Sequence, residues 1–167
     1  MRQSHQSDHG SAAEPRILPL PAAAGVAVRE LLEAVLAAEV SRLQPTAAVT
    51  VTIDVPPAAR VVADPASFRG LVDRLVASAC AAAAAPRPRG EGPVVREVVV
   101  TAVQGPEALE LEIADSGPTD TAADRCPAIV HELVARCGGT VHVGACPEGG
   151  TAVTVRVPRR EARRQAA

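Results

Sequence analysis

The sequence predicts an α/β (α+β) protein built as a two-layer sandwich, a mixed, mostly antiparallel sheet with three helices on one face. Three observations carry that expectation. Apolar periodicity orders the elements as helix, strand, helix, strand, strand, helix, strand, strand. Neighbouring strands are joined by short turns, which favours hairpins. Each strand shows one apolar face, so helices on that side suffice to bury it.

The elements follow in order. Over residues 26–43, Val28, Leu31, Leu32, Val35, Leu36 and Val40 recur at helical spacing, and Pro45 closes that helix. Val49, Val51, Ile53 and Val55 alternate with polar or small residues, the signature of a strand with one buried face. Asp64 or Ser67 is placed to cap the next helix, and Pro65 suits its first turn. Phe68, Leu71, Val72, Leu75, Val76 and Ala79 form its apolar stripe, an alanine run extends it to Ala85, and Pro86 stops it. Two strands over residues 94–103 and 109–114 flank a QGPE turn. Residues 115–127 are rich in turn formers and lack a period. Residues 128–137 read as a short helix ended by Gly138-Gly139. Strands over 140–143 and 151–157 follow, with CPEGG between them. Residues 1–20 read as a flexible arm, 21–158 as the domain, and 159–167 as a basic tail.

Composition narrows the function. The chain has 167 residues, which fits one domain. With 47% hydrophobic and 22% charged residues it can bury a core. Trp and Tyr are absent and there is a single Phe, so no aromatic platform exists for stacking bases. A formal charge of −2 argues against a general nucleic-acid binder. No apolar run is long enough to cross a bilayer, and the polar N-terminus lacks the apolar stretch of a signal peptide. A cytoplasmic protein away from the membrane is expected. Cys80, Cys126, Cys137 and Cys146 form no CxxC pair and have no zinc-type spacing, so they read as reduced, inert thiols.

Three segments bear chemistry. The helix beginning at Pro65 carries Arg74 and Ser78 at i and i+4, off its apolar stripe. The run Ile113-Ala114-Asp115-Ser116-Gly117-Pro118 ends a buried strand in a carboxylate followed by a glycine, which permits close approach of a ligand to the backbone. Gly149-Gly150-Thr151 is a tight turn leading into a strand. Each alone describes an ordinary loop or helix face. His131-Glu132 fails the HExxH zinc pattern because Ala135 occupies the second ligand position.

Together the segments resemble the ATP-binding domain of sensor histidine kinases, in the superfamily that also holds DNA gyrase. The resemblance runs from about residue 21 to 158. ADPASFRGLVDRLVASAC resembles the segment bearing the N box, IADSGP the G1 box, IVHELVARCGGTVHV the helix and strand that follow, and CPEGGTAVTVRVP the closing strand. The resemblance implies the Bergerat-type ATP-binding fold. It also implies roles: Asp115 accepts the adenine amino group, Gly117 lies beside the ring, and Thr151 supports the carboxylate.

The departures lie on the phosphate side. Ser78 stands at the N-box Asn that helps hold Mg²⁺, and Arg74 at the preceding Asn. Thr119 replaces the second G1 glycine. The glycine-rich G2 segment is replaced by Ala123-Asp124-Arg125-Cys126-Pro127. A proline donates no amide to a phosphate and an aspartate repels it. Arg74 is placed either to substitute for Mg²⁺ as a counter-charge or to pair with Asp73 or Asp64 in solvent. No residue is assigned a catalytic role, and no metal ligand set is defined.

The resulting expectation is a stand-alone, degenerate histidine-kinase-like domain. It would bind ATP or ADP weakly or not at all, through Asp115, Gly117, Thr151, Ser78 and Arg74, with little to hold Mg²⁺. It would act through a protein partner in bacterial signalling. The alternatives are an active histidine or anti-sigma-type serine kinase, and a nucleotide-free adaptor that mimics a kinase domain.

Overall fold

A computed structural model describes residues 25–42, 48–86, 95–119, 122–147 and 149–159. The expected N-terminal arm, the Pro45 helix stop, the loop over 87–94 and nearly all of the basic tail lie outside them. In chain order the elements are β1 Val26–Ala27, α1 Val28–Arg42, β2 Thr50–Asp54, β3 Arg60–Val61, α2 Pro65–Ala84, β4 Glu97–Gln104, β5 Ala108–Asp115, α3 Ala122–Arg125, α4 Ala128–Arg136, β6 Thr140–Ala145 and β7 Thr151–Pro158. The main sheet has the order β2-β4-β5-β7-β6, and β1 with β3 makes a second, two-stranded one. β2 runs parallel to β4, and the other three pairings of the main sheet are antiparallel. The expected mixed, mostly antiparallel sandwich is therefore observed.

Strand parity builds the core. In β5, Leu109, Leu111 and Ile113 are buried, while Glu110 and Glu112 on the opposite face are exposed. Val98, Val100 and Ala102 of β4 and Val153, Val155 and Val157 of β7 continue the apolar face. α1 packs on β2, α2 on β4 and β5, and α4 on β6, with α2 central in the helix layer. The α2 stripe is buried from Phe68 through Ala83.

Local chemistry sets the ends of the helices. Asp64, not Ser67, caps α2: its side chain accepts from the Ser67 N–H at 2.8 Å, and Pro65 opens the first turn. These bonds from Ser67 hold the Asp64 carboxyl below its ordinary range. α4 ends in a Schellman turn, in which Gly138 at φ 70° brings the Gly139 N–H to the Val134 carbonyl and its own N–H to that of Ala135.

Three expectations need correction. Residues 26 and 27 do not begin the first helix; they form β1, held by antiparallel pairing with Arg60 and Val61. Val40 shares the α1 stripe in sequence yet is exposed, so the buried face ends at Leu36. Residues 115–127, read as irregular, contain α3, whose single turn is too short to show a period.

Candidate functional site

The site lies where β5 and β7 meet at one end of the sheet. Asp115 is the last residue of β5 and pairs in register with Thr151, the first of β7. Both continue the inward, apolar parity of their strands, so a carboxylate and a hydroxyl stand where alternation demands hydrocarbon. Each is buried. A buried carboxylate must be hydrogen-bonded and neutralised to be tolerated.

Its partners include the turn that follows it and α3. Oδ1 accepts from the Gly117 N–H at 2.8 Å, closing a turn at the strand end. Oδ2 meets Nη2 of Arg125, the last residue of α3, at 2.8 Å. Nη1 of Arg125 donates to the Ser78 carbonyl at 3.0 Å and to its hydroxyl at 3.2 Å. The Arg125 and Asp115 side chains are only 3% and 2% exposed. One guanidinium thus ties the end of β5 to α2 across the two layers.

Two glycines let these elements approach. A Cβ on Gly117 would lie 2.6 Å from the Ala82 carbonyl oxygen of α2. At Gly150, φ is +102° and a Cβ would fall on the Asp115 carbonyl oxygen. Ser116 pins the strand end to the start of β4: its hydroxyl donates to Val95 O at 2.9 Å and accepts from the Glu97 N–H at 2.8 Å.

The structure brings Asp115, Gly117, Thr151 and Ser78 together. Arg74 stands apart, exposed one helical turn before Ser78, with no hydrogen-bond or ion-pair partner among the described residues. Neither expected carboxylate pairs with it: Asp73 lies 3.8 Å from Arg69, and Asp64 is the helix cap. Sequence reasoning missed Arg125, which it counted only as part of a lost glycine-rich segment. The available signal was the inward parity of Asp115. A carboxylate on a core face calls for a cation, and Arg125 lies within the turn-rich stretch that follows it.

Other surfaces offer less chemistry. A recess of about 260 Å³ opens at the far end of β5 and β7, lined by Glu107, Gly138, Gly139, Arg156 and Pro158. Its two charged side chains are exposed and lie 3.6 Å apart. No cluster of three metal-ligating side chains exists among the described residues. No described helix is long and apolar enough to cross a membrane.

The cysteines are free thiols. Burial pushes Cys80 up to about 11, with Glu39 and Asp115 adding repulsion. Burial likewise raises Cys126, Cys137 and Cys146. Since only the thiolate reacts, a rise from 9.0 to about 11 makes it about a hundredfold scarcer. Cys80 is therefore expected to resist iodoacetamide at neutral pH in the native protein and to react once it is unfolded. Mass spectrometry of the labelled protein reads the difference, and rapid native labelling at Cys80 would contradict its burial.

No family model matches the sequence, and no curated protein matches it. Solved structures do match the fold. The catalytic domain of the histidine kinase ThkA, in a nucleotide-free form, superposes with a TM-score of 0.65 at 13% identity, over 80% of this chain and 93% of that one. The ATP-binding domain of PrrB from Mycobacterium tuberculosis gives 0.59 at 22% identity, over 83% and 98%. Full-length ShkA in complex with AMPPNP gives 0.63 at 21% identity, over 81% of this chain and 30% of that one. The chain has the fold of histidine-kinase ATP-binding domains, as the sequence resemblance implied.

Proposed function

We propose, with the histidine-kinase ATPase fold as the premise, that this chain is a signalling adaptor that has exchanged its adenine nucleotide for an internal arginine. It acts through a protein partner in the bacterial cytoplasm, and its resting state holds no nucleotide. The observation that carries this reading is the buried Asp115–Arg125 ion pair. Asp115 is the residue the resemblance assigns to the adenine amino group, and both of its oxygens are already engaged.

The energetics favour closure. Taking one partner from a buried ion pair costs about 3–5 kcal/mol. An adenine that had to displace Arg125 would lose affinity by as much as roughly two to four powers of ten. The residues present also do not fit Mg²⁺. Ser78 stands in place of an asparagine, and its hydroxyl already accepts from a guanidinium 3.2 Å away. A divalent cation at that oxygen would face the positive charge of Arg125. An active kinase of the histidine or anti-sigma type is disfavoured on both counts.

Calorimetric titration of ATP and ADP, with and without Mg²⁺, tests the reading, together with thermal unfolding. A nucleotide present at 100 times its dissociation constant adds about 2.7 kcal/mol of stability. No heat and no shift in Tm are expected at millimolar nucleotide. Saturable, Mg²⁺-dependent binding accompanied by turnover would overturn the adaptor reading and favour the active enzyme.

A further inference from the structure

We infer that the junction between the end of β5 and α2, filled by the Arg125 side chain, is a guanidinium site rather than a purine site, with Arg125 as its resident ligand and specificity-determining residue. This rests on the nucleotide-free reading and names the chemistry that the site now selects.

The donor and acceptor pattern carries the inference. The groups meeting Arg125 include the Asp115 carboxylate, the Ser78 carbonyl and the Ser78 hydroxyl oxygen. All three accept, and they belong to two different layers of the fold. A guanidinium is a planar and permanently charged fork; here Nη1 donates to both Ser78 oxygens while Nη2 faces Asp115 Oδ2 as an ion pair, so one group spans both layers. An adenine edge presents donors beside ring-nitrogen acceptors and carries no charge to neutralise a buried carboxylate. The Gly117 N–H, the donor next to the carboxylate, is itself spent on Asp115 Oδ1 at 2.8 Å. A lysine ammonium supplies charge without the fork. Deleting the Arg125 side chain therefore leaves a buried carboxylate facing a vacated space of guanidinium shape. Small guanidinium ions satisfy that space; neutral or purely ammonium probes do not.

Chemical rescue of the full-length chain tests this. Arg125→Gly is expected to lower Tm by roughly 10 °C. Millimolar methylguanidinium should restore Tm saturably in R125G. Methylammonium, urea and ADP should not, and neither the wild type nor the Asp115→Asn/Arg125→Gly double variant should respond to methylguanidinium. Absence of rescue in folded R125G, or equal rescue by methylammonium, would overturn the inference. Greater stabilisation of R125G by ADP would also overturn it, by showing that the space still prefers a purine. Nucleotide binding to the wild type would instead overturn the nucleotide-free reading, so the two failures are told apart. If R125G does not fold, Arg125→Lys decides. A single ammonium cannot span both layers, so its Tm should fall clearly below that of the wild type, and equality would show that charge alone matters.

Discussion

Arg125→Ala is expected to destabilise the protein by about 3–5 kcal/mol, among the largest effects available to a substitution outside the hydrocarbon core. The reason is what remains behind. Asp115 is buried at the end of β5, and without the guanidinium its charge has lost its principal partner. The hydrogen bond from Gly117 persists but brings no positive charge. α2 also loses its link to the strand end, because the same side chain holds the Ser78 carbonyl and hydroxyl. Urea denaturation measures the loss directly. Adding Asp115→Asn to the alanine variant should recover part of it, since a neutral amide is far cheaper to bury than an unpaired charge. A loss below about 1 kcal/mol, the scale of an exposed ion pair, would show that the pair is not buried as described.

Gly150→Ala is expected to cost at least about 3 kcal/mol, by a different route. At φ +102° an L side chain is strained, and its Cβ would fall on the Asp115 carbonyl oxygen. Relieving that clash moves the start of β7 away from β5, where Asp115 and Thr151 are paired. The neighbouring glycine is the internal control. Gly149 has a φ of +90°, yet a Cβ there meets nothing within 4 Å among the described residues. Gly149→Ala should therefore cost only the conformational strain, about 1–2 kcal/mol. Denaturation of the two variants side by side separates strain from close approach, and equal losses would contradict the packing at Gly150.

Much of the fold was legible because its longer elements repeat. The alternation of Leu109, Leu111 and Ile113 marks a half-buried strand, and eight residues suffice to display it. The α2 stripe from Phe68 to Ala83 lies within a helix of 20 residues and admits no other period. Gly138-Gly139 marked the end of α4 because a left-handed turn there needs a glycine. Two-residue strands such as β1 and β3 show no period; they exist through pairing with each other, which is a tertiary fact. α3 is illegible for the same reason, with one turn and no stripe.

The candidate site divides along the same line. Asp115, Gly117 and Thr151 sit at ends of regular strands, where parity and turn chemistry place them. Ser78 follows from helical spacing. Arg125 belongs to a segment without periodicity, and its role depends on a contact with Ser78 that spans 47 residues. Sequence distance hides such a bridge. The signal that survives is a charge mismatch: a carboxylate on an apolar strand face, waiting for a cation.

A double-mutant cycle between Asp115 and Arg125, read by equilibrium unfolding of the Asp115→Asn, Arg125→Gln and doubly substituted chains, probes that cation most directly. A buried pair 2.8 Å apart predicts a coupling energy on the order of 2–3 kcal/mol. Independent effects, adding to within about 0.5 kcal/mol, would mean that Arg125 does not occupy the carboxylate and that the site stands open to another ligand.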